Sequence, residues 1–122
     1  MRIGELSKTT GVSIATIRLY EREGLIGPAE RTDGKTRVFS EAQKRRLTFI
    51  RRVRNLGFSL DDVKALLAFA DVHEQDRVSL VERIRSGIAS RKRDLTRLEK
   101  HLSSALKSSS PSDVEDAFPI DL

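Results

Sequence analysis

Residues 9–26 read TTGVSIATIRLYEREGLI, and the rest of the chain is organised around them. Gly11 suits a tight turn, because glycine tolerates positive φ. Ser13 suits a helix N-cap, where its hydroxyl accepts from a first-turn N–H that has no partner inside the helix. The apolar spacing that follows predicts a helix from about Ile14 to Glu23, with Ile14 and Ile17 inward and Gly24 ending it. Upstream, residues 2–10 read as a shorter helix with Ile3 and Leu6 inward. Two short helices joined by a glycine-containing turn form a helix-turn-helix pattern.

Downstream, GPAERTDGKTRVF (27–39) has no helical period. Asp33-Gly34 is a strong hairpin signal, and Thr36, Val38 and Phe39 suit a strand, so a small two-stranded wing is predicted. Arg31, Lys35 and Arg37 project from it. Ser40 with Gln43 fits a capping box, opening a third helix to about Leu56. Ala42, Leu47, Ile50 and Val53 lie on its apolar side, and the basic runs KRR and RRVR lie on the other. Gly57 closes that helix. Ser59 then caps a fourth, LDDVKALLAFA, whose first turn holds Asp61 and Asp62, which the helix dipole favours there.

The segment from about Glu74 to Lys107 changes period. Val81, Ile84, Ile88, Arg91, Leu95, Leu98, Leu102 and Ala105 alternate spacings of three and four, which is a heptad seam amid charged residues. So narrow a stripe needs a covering surface. A second copy of the chain is the economical one, and packing back on its own domain is the alternative. The expected organisation is a DNA-binding domain over 1–70, a dimerisation helix over 71–108 and a short tail over 109–122. In that tail Phe118, Pro119 and Ile120 form a possible apolar plug with a regulatory or effector-related role.

The 122 residues suit one domain with an appended element. The net charge of +5 is compatible with an anionic partner and equally with a merely basic soluble protein. Its distribution says more. Residues 1–56 hold 13 Lys/Arg and 6 Asp/Glu, a balance of +7, while the remainder balances at −2. With no cysteine, disulfides and thiolate metal sites are excluded. No apolar run approaches membrane-spanning length, so a soluble cytoplasmic protein without a membrane partner is expected. The carboxylates have no catalytic spacing and no glycine-rich phosphate loop appears, so no enzyme, catalytic residue or cofactor is expected. His73, beside Glu74 and Asp76, can be read as a divalent-metal site, but helix-start chemistry is the plainer reading and no metal is assigned.

A basic helix-turn-helix followed by a basic hairpin suits duplex DNA. Thr16 and Arg18 can reach base edges or phosphates, and Ser13 sits at the same helix start. Tyr20 has a hydroxyl suited to phosphate on a ring that also packs. Arg31, Lys35 and Arg37 would straddle the neighbouring backbone. The runs IGELSK, GVSIATIR, YEREGLI, RTDG, R-V-F and LGFSLDDVKALL fall in order over about residues 1–70 and closely resemble the MerR family of bacterial transcriptional regulators. The resemblance implies a mainly α fold, with a winged helix-turn-helix followed by a long helix that pairs as an antiparallel coiled coil in a homodimer. The heptad seam supplies the expected interface residues, Val81, Ile84, Ile88, Leu95, Leu98 and Leu102. The resemblance also implies an operator between promoter elements, activation or repression through distortion of that DNA, and RNA polymerase as partner. An architectural or excisionase-like protein without effector sensing is the alternative, and a coiled-coil adaptor with incidental charge is a third class.

The chain departs from the family pattern in three places. Leu19 stands where an aromatic is common, and Lys35-Thr36 replaces a frequent Gly-Tyr. Metal-sensing members end in a cysteine-containing loop with Cys-Pro-Ile; here Phe118 takes the last cysteine's place and Ser110 lies near the earlier one.

Overall fold

The structure, a computed structural model, describes residues 1–108 and 112–119. Ser110 and Ile120, singled out in the sequence, lie outside the described residues. The chain divides into two compact units, Met1–Val72 and His73–Leu122.

The first unit starts with α1 (Ile3–Thr10) and α2 (Ile14–Arg22). Gly11 separates them at φ 74°, and its N–H bonds the Ser7 carbonyl at 2.9 Å. A side chain there would be strained, and a Cβ would also meet the Arg51 guanidinium at 3.0 Å. The hairpin pairs β1 (Glu30–Thr32) antiparallel with β2 (Thr36–Val38), with Arg31 opposite Arg37. Asp33 (φ 52°) and Gly34 (φ 72°) make its turn, and the Lys35 N–H closes it onto the Thr32 carbonyl at 3.0 Å. Positive φ at both central residues matches the strands' twist, which is why Asp-Gly is favoured there. Next come α3 (Glu41–Asn55), opened by the Ser40/Gln43 capping box, and α4 (Leu60–Leu67), capped by Ser59. A short 3-10 turn, Phe69–Asp71, follows.

Leu6, Ile17, Leu47, Ile50 and Val63 are fully buried, with Val12, Tyr20, Leu25, Ile26 and Phe39 in the same cluster. Each such side chain contributes about 1.5–3 kcal/mol by leaving water. Two expectations fail at helix starts. Ile14 is 40% exposed and Ala42 is exposed, and both stand in the first turn of their helices.

Polar contacts from α3 fix the connection between α2 and the wing. The Gln43 side-chain amide donates to the carbonyls of Ile26, Gly27 and Pro28 at 3.0–3.2 Å, and the Arg46 guanidinium donates to the Leu25 carbonyl. Residue 1 and Phe39 exchange backbone hydrogen bonds of 2.7 and 2.8 Å, tying the two ends of this region together.

The second unit is α5 (Glu74–Ser108) with α6 (Ser112–Glu115) packed on it. On α5 the seam residues Val81, Ile88, Leu95 and Leu102 are exposed, and Ile84 and Leu98 are half-buried. Among the described residues of the tail, the Ala117 side chain is fully buried. Phe118, one of the three residues read as a possible plug, is 48% exposed. Among the described residues no helix is long and apolar enough to cross a membrane, and no three metal-ligating side chains converge at His73 or elsewhere.

Candidate nucleic-acid interface

The site is built on the first unit, around the N-terminus of α2. Ser13 caps that helix: its hydroxyl accepts from the Thr16 N–H at 3.2 Å and donates to the Thr16 hydroxyl at 2.8 Å. Both residues are therefore bonded to each other, at a helix end whose partial positive charge attracts anions. Arg18 is exposed one turn further along, whereas Tyr20 is buried with only 8% of its surface accessible. The tyrosine ring belongs to the core cluster, and its edge lines a surface notch.

That notch, about 230 Å³, is lined by Ser13, Thr16, Tyr20, Arg51, Arg54 and Asn55 together with the Gly11–Val12 turn. Two guanidinium groups from α3 thus face the start of α2, with hydroxyls between them and no carboxylate in the lining. This arrangement is chemically suited to a phosphate diester: two hydroxyls and the positive charge of two arginines converge on one concave surface. Arg54 also donates to the Phe58 carbonyl at 2.9 Å, which holds the α3–α4 connection. Gly11 permits Arg51 to lie against the turn.

The wing adds cations. Arg31 and Lys35 are exposed. Arg37 is half-exposed and donates to Glu21 of α2 at 2.7 Å, and Glu21 also accepts from the Ala29 N–H at 2.8 Å. Opposite arginines on paired strands repel, and Glu21 offsets that repulsion while locking the wing to α2. Arg37 is thus bound to a carboxylate as well as facing solvent.

The structure brings Ser13, Thr16 and Tyr20 to one notch and places Arg18 on the outer face of α2; Arg31, Lys35 and Arg37 lie on the wing. Sequence reasoning missed Arg51 and Arg54 as individuals, having read RRVR only as a basic helix face. It also missed Glu21, whose ties run to positions eight and sixteen residues away. Finally, it missed the other members of the outward stripe that carries Arg18: Ile14, Ala15, Leu19 and Arg22 are all exposed. Their i, i+4, i+8 spacing was the available signal.

Comparisons with known proteins agree on one family. The model described as "MerR HTH family regulatory protein" matches residues 1–70, and "MerR, DNA binding" matches residues 44–105. The chain is 41% identical over 114 residues to the HTH-type transcriptional regulator HmrR of Sinorhizobium medicae, covering 85% of this chain and 75% of that one. It is 52% identical over 68 residues to heavy metal-dependent transcription regulator 2 of Rhizobium meliloti, covering 56% of this chain and less than half, 46%, of the relative. Its fold is similar, with a TM-score of 0.58 and 26% identity, to HiNmlR, a MerR family regulator lacking the sensor domain and bound to promoter DNA. That match covers 98% of this chain and 96% of the other.

Proposed function

The chain belongs to the MerR family of DNA-binding transcriptional regulators, and on that premise we propose that it works as a homodimer on the spacer of a promoter. The observation that carries this reading is the convergence of Arg51 and Arg54 with the α2 N-terminus in a notch free of carboxylates. Ser13, Thr16, Tyr20, Arg51 and Arg54 engage phosphates there, Arg18 enters the major groove, and Arg31, Lys35 and Arg37 follow the flanking backbone. Phosphate contacts fix position and supply most of the affinity, while few residues read sequence.

Dimerisation is proposed through the α5 seam of Val81, Ile84, Ile88, Leu95, Leu98 and Leu102. An antiparallel partner with its two-fold axis at Arg93 sets Ile84 against the partner's Leu102 and Ile88 against the partner's Leu98. Arg91 then faces the partner's Leu95, a polar layer repeated on each side of the axis; its guanidinium also donates to the Gly87 carbonyl at 3.0 Å. A two-fold dimer matches two half-sites. Bending the DNA between them costs about 1–6 kcal/mol, offset by the contacts the bend permits, and the bend controls access of RNA polymerase to the promoter. The organisation proposed is a DNA-binding domain over 1–70, the dimer helix over 71–108 and a tail over 109–122. The protein acts as a regulator rather than an enzyme, in the cytoplasm. Because the sequence lacks cysteine, a thiolate-held metal is not its effector.

Footprinting of the full chain across the region upstream of its own gene tests the proposal. One protected site of two-fold symmetry, spanning a promoter spacer, is expected. Scattered protection without symmetry would favour an architectural protein instead, and no protection at any salt concentration would refute DNA binding.

A further inference from the structure

The outer face of α2 carries a chemical pattern that phosphate binding leaves unexplained. Ile14 and Leu19 are 40% and 38% exposed, and Ala15 is exposed beside them. They surround Arg18 along one helical stripe that ends at Arg22. Apolar side chains next to two arginines make a poor docking face for a second copy of the chain, since the arginines would repel their counterparts. The same pattern fits the major groove, where thymine presents a methyl group and guanine presents O6 and N7 acceptors to a guanidinium. Residues at the start of a recognition helix reach furthest toward base edges, and Ile14 and Ala15 are the first two residues of α2.

We propose that the collar of Ile14, Ala15 and Leu19 reads one thymine methyl group beside a guanine held by Arg18, so that it sets the base preference of each half-site. The inference rests on the DNA-binding reading above and adds the chemistry of what is read. Removing one thymine methyl exposes apolar surface worth roughly a fourfold change in affinity, so one contact per half-site amounts to about fifteenfold for the dimer.

The full chain is used to enrich a duplex from a random-sequence pool. Binding to the enriched duplex is then compared with binding to the same duplex carrying deoxyuridine in place of every thymidine, a change that deletes only the methyl groups. The wild type is expected to bind the uracil duplex about fifteenfold more weakly. The double variant Ile14→Ala/Leu19→Ala should discriminate less than twofold, with a small drop in melting temperature because both positions are only partly covered, and with an unchanged salt dependence. Equal discrimination by wild type and variant, no methyl sensitivity in the wild type, or an enriched half-site without a thymine next to a guanine would overturn this inference while leaving DNA binding intact. Failure to enrich any duplex would overturn the DNA-binding reading and this inference together.

Discussion

Replacing Arg51 with alanine isolates one cation of the notch. Its guanidinium lies 3.0–3.1 Å from where a Cβ on Gly11 would stand, and Arg51 is exposed. Arg54, by contrast, holds the Phe58 carbonyl, so its removal would also disturb the fold. Arg51→Ala should therefore change stability by no more than about 0.5 kcal/mol, as for other surface substitutions. If each protomer's Arg51 neutralises one phosphate, the dimer loses two contacts. The slope of log affinity against log salt then becomes shallower by about 1.8, from roughly 0.9 per phosphate. Between 50 and 200 mM salt, a slope change of that size shrinks the gap between wild type and variant by about twelvefold. Fluorescence anisotropy with a labelled duplex at four or five salt concentrations measures it directly. The loss should be similar for specific and unrelated duplexes, since a phosphate contact carries no sequence information. An unchanged slope, or a loss confined to one sequence, would refute the assignment of Arg51 to the backbone.

Other consequences follow from the same geometry. Gly11→Ala and Gly24→Ala both place a side chain at left-handed backbone, φ 74° and 73°, and each should cost about 1–2 kcal/mol in urea denaturation. Gly11→Ala should cost the more, because Arg51 must yield there while Gly24 has open space. Glu21→Gln weakens the tie to Arg37 and should cost about 1–2 kcal/mol, with faster amide exchange at Ala29. Leu47→Ala, at a fully buried position, should cost about 2–5 kcal/mol and lower the melting temperature accordingly. Arg91→Leu replaces the polar layers of the seam and should tighten dimerisation, measured as a lower dissociation constant in sedimentation equilibrium.

Much of this fold was legible in local chemistry. The caps at Ser13, Ser40 and Ser59 and the Asp33-Gly34 turn are short-range devices, written within four residues of where they act. The fold class follows from them and from the period of α5. What stayed hidden was tertiary. Gln43 fits a capping box by its spacing, yet the same side chain also pins three carbonyls 15 to 17 residues back. Ile14 obeys the inward period of α2 and is nonetheless exposed, since periodicity gives a direction but not the length of the element that covers it. The site was legible as charge and not as geometry. RRVR marks a basic face, but only the fold shows that Arg51 and Arg54 reach the turn before α2 while Arg52 does not line the notch.

The central claim is that two chains pair along α5 to hold one duplex. Sedimentation equilibrium of the full chain, alone and with a labelled duplex spanning its own promoter, tests this most directly. The account predicts a dimer at micromolar concentration, two chains per duplex, and loss of tight binding when Leu98→Lys breaks the seam. A single chain in solution that still holds its duplex at full strength, or a Leu98→Lys variant that binds like the wild type, would contradict it.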